Sequence, residues 1–338
     1  MKVGIVGTGT WGTTLAIILA RRHLEVVLWS RTDDEASKMS RERCNSERLP
    51  DYKFPDSLQV ASSPEAALSD AAAVIVAVPS SAMRENLRKI SSVLDFSTVV
   101  ISATKGLERD TGKRMSDVIG EELPAELRGN ISVLSGPNLS KEIIDGHPAS
   151  TVLAAVDEAV AKRARDVMMS PLLRAYTNTD VIGVELGGSL KNIIAIGAGM
   201  SDGLGFGDNA KAAFITRGLA EITRLGVAAG ARPLTFAGLA CLGDLIATCS
   251  SRLSRNYFVG EQLAKGRPLK VILESMSYVA EGVDTTVAAL RMAEGLGVEM
   301  PITEYTNKVL FEGMEPEVAV KELMARAPKP EWEGIPLE

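Results

Sequence analysis

At 338 residues, with 46% apolar and 24% charged side chains, the chain has ordinary globular composition and a length that fits two domains. A net charge of −6 argues against nucleic acid or an anionic membrane surface as a partner, so an anionic small substrate would need a local cationic pocket. No run reaches bilayer-spanning length without a charge, and Cys44, Cys241 and Cys249 have the spacing of neither a metal site nor a redox pair, which predicts free thiols in a reducing compartment, the cytoplasm, and no bound metal.

The chain opens on MKVGIVG, apolar on both faces, which predicts a central parallel strand ending at Gly7. A strand starting at Met1 or Lys2 leaves no stretch for a signal peptide. GTGTWG follows, then the helical TTLAIILARR and a second strand, EVVLW. This order is the context a dinucleotide fingerprint requires. Gly7 allows the tight turn, Gly9 removes a Cβ so that a pyrophosphate can approach, Gly12 lets helix and strand pack, and the helix N-terminus faces the phosphates. The competing reading is a glycine turn that merely packs. The second strand ends at Trp29-Ser30-Arg31-Thr32. An NAD site usually has an acid near here for the ribose hydroxyls; Arg31 stands there, with Asp33 and Asp34 slightly later. A guanidinium suits a 2′-phosphate, so NADP is favoured over NAD. A solvated charge, or one stacked on adenine, is the alternative for Arg31.

The alternation continues through AAAVIVAVPS, the helical MRENLRKISSVL, the strand TVVISATKGLE up to Lys105, and a helix from about Gly112 to Glu122. ISVLSGPN, a short helical stretch over residues 139–145, STVLAAV, a further helix and the strand-like LLRAYTNTD complete it. The fold class is α/β: a Rossmann-type doubly wound sheet, in which ligands lie at the carboxyl ends of strands, where Pro79, Lys105, Gly136, Pro137 and Asn138 stand. From Val181 the period is helical, broken at 203–207, 230–233, 266–268 and 297–301. Residues 1–180 are therefore expected to form the dinucleotide-binding domain and residues 181–338 an all-helical substrate domain. The Pro- and charge-rich stretch 327–338 is the one segment with a disordered composition. His23 and His147 are the only histidines; both read as structural or exposed, so proton transfer here would use another group.

The helical half is organised around residues 184–218, VELGGSLKNIIAIGAGMSDGLGFGDNAKAAFITRG. Lys191 stands alone in an uncharged run that reads as a buried helix. Burying a lone ammonium is costly, and the usual outcome is a partner or a lowered pKa. Gly187, Gly188 and Ala195 lie near its helical face and would let a flat ring or a substrate come close. A lysine that snorkels from a surface is the alternative. Further on, Asp244 in CLGDLIATC could orient Lys191 or bind a hydroxyl, or simply cap a helix. Ser254-Arg255-Asn256 precedes a helix, where a guanidinium and free N–H groups can make a phosphate site, or merely a cap. Glu281 opens another helix, where the dipole alone would favour it.

Taken in order, GTGTWGTTLA, SATKGLE, SGPN, the long lysine stretch, CLGDLIATCSSRLSRN and VAEGVDT resemble the bacterial type of NAD(P)-dependent glycerol-3-phosphate dehydrogenase over nearly the full length. The resemblance implies reduction of dihydroxyacetone phosphate to glycerol 3-phosphate with NADPH or NADH, a homodimer, and supply of phospholipid synthesis. It implies that Lys191 is the acid/base, with Lys105, Gly136, Asn138, Asn192, Asp244, Thr248, Ser254, Arg255 and Asn256 at the substrate. Thr10, Trp11, Arg31, Lys105, Ser140, Arg255, Val279 and Glu281 are implied as cofactor contacts beside Gly7, Gly9 and Gly12. One stretch departs: the family usually has Ser or Thr, an aromatic and Ala after Gly-Pro, where this chain has Asn138, Leu139 and Ser140. A dehydrogenase of the same plan acting on a hydroxy acid or sugar phosphate, and a nucleotide-sensing protein without turnover, are the competing functions.

Overall fold

The computed structural model describes residues 1–276, 279–331 and 333–335. Ser277 and Tyr278, at the start of the predicted helix carrying VAEGVDT, and Trp332 and 336–338 of the charge-rich end lie outside them. The chain divides into two units: Met1–Thr104 with Met115–Val181, and Lys105–Arg114 with Ile182–Glu338. One join between the two units falls between Val181 and Ile182. The segment Lys105–Arg114, expected in the first domain, packs with the second.

In the first unit the strands are β1 (Lys2–Val6), β2 (Glu25–Trp29), β3 (Cys44–Asn45), β4 (Leu49–Lys53), β5 (Leu58–Ala61), β6 (Ala73–Val76), β7 (Val99–Ser102), β8 (Ile131–Ser135), β9 (Ala149–Ala154) and β10 (Leu173–Asn178). Its helices are α1 (Thr10–Ala20), α2 (Asp33–Glu42), α3 (Pro64–Leu68), α4 (Met83–Ile90), α5 (Met115–Glu122), α6 (Ser140–Ile144) and α7 (Glu158–Met168). Eight strands form one sheet in the order β10-β9-β8-β7-β6-β1-β2-β5, and β3 and β4 make a small separate hairpin. Neighbours are parallel except β8 and β9. The strand order reverses between β1 and β6, the switch point where such sheets bind ligands.

Alternate residues of each central strand feed opposite cores. Val3 and Ile5 of β1 and Ile75 of β6 pack with α1 and α7, while Val6, Val74 and Val76 pack with α3, α4 and α5. Burial on both faces is why these strands read as unbroken apolar runs. The helix expected from Gly112 begins only at Met115; residues before it form a loop closed by a bridge between Leu107 and Arg114.

The second unit has α8 (Val181–Gly203), α9 (Asp208–Ala228), α10 (Asp244–Ser250), α11 (Arg255–Ala264), α12 (Leu269–Glu274), α13 (Glu281–Leu296), α14 (Pro301–Phe311) and α15 (Pro316–Met324). The glycine- and proline-marked breaks fall between α8 and α9, after α9, between α11 and α12, and between α13 and α14. Helix α8 is long and apolar enough to cross a bilayer, but 89% of its apolar window is buried within the protein. Leu186, Leu190, Ile193, Ile194 and Ala198 of α8 form the unit's main core with Ile222, Leu225, Phe236, Leu245 and Ala289.

Segment Lys105–Arg114 is sewn onto this bundle. Leu107 is fully buried in the same core, Ser189 Oγ donates to the Gly106 carbonyl at 3.3 Å, and Arg114 pairs with the buried Glu185 at 3.1 Å. Arg109 pairs with Asp284 at 2.9 Å.

Candidate active site

Within the second unit, four residues from three separate segments converge. Lys191 sits mid-way along α8 and is only 6% exposed, so it does not snorkel. Its Nζ donates to Asp244 Oδ1 at 2.8 Å and to the Thr248 hydroxyl. Thr248 Oγ1 also lies 3.2 Å from Asp244 Oδ1. Lys105 Nζ donates to the other carboxylate oxygen, Oδ2, at 2.6 Å. One buried carboxylate therefore holds two lysine amines, one on each oxygen. Two buried amines converging on one carboxylate form a locally cationic site suited to an anion or a developing oxyanion.

The local fold explains the placing of Asp244. A π-helical turn over Leu239–Gly243 runs into α10, whose first residue is Asp244. Inserting a residue into a helix re-aims the side chains that follow, and such bulges recur at functional sites. Asp244 caps nothing, because both its oxygens face lysines; the capping alternative fails. Gly187, one of the small residues near Lys191, meets a neighbouring turn. A Cβ on Gly187 would stand 2.6 Å from the Cβ of Cys241, so the missing side chain admits the π turn rather than a ligand. Ala195 is fully buried in the apolar core.

Burial pushes the Lys105 ammonium down to about 8, with Lys191 adding to the fall and Asp244 opposing it. An unfolded lysine keeps its proton to its ordinary value, so between about pH 8 and about pH 10.4 the unfolded chain binds more protons and this group makes stability rise with pH. Replacing Lys105 by Met removes that contribution. In urea unfolding, the stability of Lys105→Met relative to wild type should fall as pH increases from 8 to 10; a constant difference would contradict it.

Three helices of the second unit meet at α8 one residue on from Lys191 in sequence. Asn256 Oδ1 of α11 accepts from the Gly282 N–H of α13 at 2.9 Å, and a Cβ on Gly282 would stand 2.7 Å from the Asn192 carbonyl of α8. Asn192, Asn256 and the Glu281 end of α13 are thus held together. Ser254 is the N-cap of α11, its hydroxyl accepting from the Tyr257 N–H at 3.2 Å. The capping reading therefore holds for Ser254, while Arg255, the first residue of α11, is exposed. Val279 is 43% exposed.

The first unit carries the remaining expected residues. Gly7 has φ +120°, and a Cβ on Gly12 would stand 2.0 Å from the Gly7 carbonyl, so both are needed for the turn to close on α1. A Cβ on Gly9 would meet nothing within 4 Å. No side chain caps α1, and the buried Thr10 hydroxyl has no hydrogen-bond partner among the described residues. An open approach, an uncapped helix start and an unanswered hydroxyl fit a pyrophosphate. Trp11 packs against the sheet's core, and Arg31 is exposed just past β2. Beyond β8, Gly136 has φ +152° and lies against Ser150 and Thr151 of β9. The Asn138 amide is engaged there as well, donating to the Ser150 carbonyl at 3.2 Å and accepting from Thr151 Oγ1 at 3.0 Å. Ser140 is the first residue of α6.

No group of His, Cys, Asp or Glu among the described residues could hold a metal ion. All three cysteines are free and buried, and burial raises the Cys249 thiol to about 12. Sequence reasoning missed Arg114, Glu185 and Ser189, which anchor the Lys105 segment; the uncharged run around Lys191 drew attention away from them.

Residues 2–161 match the family model described as NAD-dependent glycerol-3-phosphate dehydrogenase N-terminus, and residues 180–321 match its C-terminus. The chain is 56% identical over 325 residues to a glycerol-3-phosphate dehydrogenase (NAD(P)+) of Dehalococcoides mccartyi, covering 96% of this chain and 90% of the other. It is 46% identical over 336 residues to one of Bacillus licheniformis, covering 99% and 97%. A crystal structure of glycerol-3-phosphate dehydrogenase from Coxiella burnetii superposes with a TM-score of 0.90 at 36% identity, covering 96% of this chain and 99% of that one.

Proposed function

Since the chain belongs to the NAD(P)-dependent glycerol-3-phosphate dehydrogenase family, we propose that it interconverts dihydroxyacetone phosphate and sn-glycerol 3-phosphate, with Lys191 as the acid/base. The Lys105–Asp244–Lys191 cluster is the observation that carries this reading. The nicotinamide cofactor, NAD or NADP, supplies or accepts the hydride when bound at the Gly7–Gly9–Gly12 turn. As the ketone carbon is reduced, its oxygen gains negative charge. Lys191 Nζ donates the proton that this oxygen needs and takes it back in the reverse direction. Lys105 stabilises the oxyanion as it develops. Asp244 holds both amines in place, and Thr248 fixes the direction of the Lys191 Nζ. Arg255 and the start of α11 receive the phosphate, with Ser254 keeping the helix start formed.

Gly136, Asn138, Asn192 and Asn256 belong to the same reading as substrate contacts, and Thr10, Trp11, Arg31, Lys105, Ser140, Arg255, Val279 and Glu281 as cofactor contacts. Arg31, in place of a ribose acid, supports a preference for NADPH. Family likeness also supports the homodimer, the cytoplasmic location and a role in phospholipid synthesis.

Initial rates of NADH and NADPH oxidation, with dihydroxyacetone phosphate and with unphosphorylated dihydroxyacetone, test the proposal. No oxidation dependent on the phosphorylated ketone would remove it. Arg255→Ala, assayed at saturating cofactor, should raise KM for the phosphorylated ketone by about tenfold or more, the scale of a lost charge-assisted contact.

A further inference from the structure

Thr32-Asp33-Asp34-Glu35 has the spacing of a capping box, in which the N3 glutamate reaches back to the N-cap N–H. Only half of the box forms as that pattern prescribes: Thr32 Oγ1 accepts from the Glu35 N–H at 3.3 Å. The Glu35 carboxylate goes elsewhere. Oε1 accepts from the Thr8 hydroxyl at 2.7 Å, and Oε2 from the Ser30 hydroxyl at 2.5 Å. Thr8 lies between Gly7 and Gly9 in the dinucleotide turn, and Ser30 is the first residue beyond β2. Glu35 thus ties together the two segments between which nucleotide folds of this strand order recognise the adenosine ribose. The far side of the turn is fixed too. Asn45, 4% exposed, donates to the Thr8 carbonyl at 2.8 Å and to Thr13 Oγ1 at 3.0 Å. An acid is therefore present in the region where the sequence offered Arg31, and both its oxygens are turned to hydroxyl donors.

We propose that Glu35 is a specificity-determining residue: a ribose-type acid held off the nucleotide by Thr8 and Ser30, so that Arg31 sets the preference for a 2′-phosphate. The inference rests on the dinucleotide reading of the turn and of Arg31. A carboxylate oxygen released by Ser30 can accept from a ribose 2′-hydroxyl, which NADH carries and NADPH lacks. Removing the carboxylate's charge relieves its repulsion of the 2′-phosphate. Breaking the same hydrogen bond from its two ends therefore has opposite consequences for selectivity.

The test is the ratio of kcat/KM for NADPH to that for NADH in the full chain, with Kd for NADP+ and NAD+ from titration calorimetry as a readout independent of turnover. Ser30→Ala should lower the ratio by about threefold to tenfold, and Glu35→Gln should raise it by a similar factor, the scale of one charge-assisted hydrogen bond. The double variant should behave as Glu35→Gln. KM for the ketone should stay within about twofold in all three, because the effect lies in cofactor binding. Thr8→Val, which frees the other oxygen, should act in the direction of Ser30→Ala and serves if that variant does not fold. A purely structural brace would move both single variants the same way or neither, and either result overturns the proposal. Arg31→Ala separates the two levels: an unchanged ratio there removes the Arg31 reading, whereas the Ser30 and Glu35 pair judges the proposal itself.

Discussion

Lys191→Ala should lower kcat by about 10² or more, the range for loss of a positioned acid/base, while the chain still folds and binds cofactor. Folding survives because Asp244 keeps Lys105 at 2.6 Å and the Thr248 hydroxyl, so truncation leaves no bare carboxylate. Small primary amines should restore part of the rate, since they can occupy the vacated space and carry the proton. Lys191→Arg distinguishes proton transfer from charge. A guanidinium keeps the positive charge but does not give up its proton near neutral pH. If Lys191 serves only to neutralise an oxyanion, the arginine variant will recover most of the activity. If it transfers the proton, the variant will stay near the alanine level. Near-normal turnover in Lys191→Ala, with the melting temperature unchanged, would end the mechanism.

The parallel sheet was legible because its strands are buried on both faces and their apolar runs are punctuated by glycine and proline. Lys191 was legible because a lone charge in an apolar helix requires a reason. Other features follow from tertiary partners that periodicity does not encode. Alternation says nothing of strand direction, so the antiparallel pairing of β8 with β9 was invisible. Residues 105–114 read as the end of a strand and the start of a helix, yet their buried Leu107 and the Ser189 hydroxyl draw them into the helical unit. Gly187 marked close approach correctly but could not name what approaches, which is Cys241. Glu35 was concealed by a pattern with an ordinary local explanation. Thr32-x-x-Glu35 reads as a cap, and only the position of Thr8 and Ser30 redirects its carboxylate.

Asp244→Asn should be as damaging as the loss of Lys191, for a different reason. The amide preserves volume and one acceptor, but it takes away the carboxylate that Lys105 and Lys191 both contact. Removing one partner of a buried ion pair costs about 3–5 kcal/mol. In wild type, Asp244 is the influence that holds the Lys105 pKa up against burial. Without it the value falls below about 8, so the folded chain sheds a proton that the unfolded chain keeps over a wider range. The stability deficit of Asp244→Asn should therefore be largest at acid pH and narrow as pH rises toward 8. Urea unfolding at pH 6, 7 and 8 checks the sign. Adding Lys105→Met should return part of the lost stability, because a single ammonium beside an amide and the Thr248 hydroxyl is easier to hold than two. It should not return turnover, since the residue that orients Lys191 and the one that steadies the oxyanion would both be gone. Recovery of activity along with stability in that double variant would show that Asp244 only neutralises charge and does not aim the Lys191 amine.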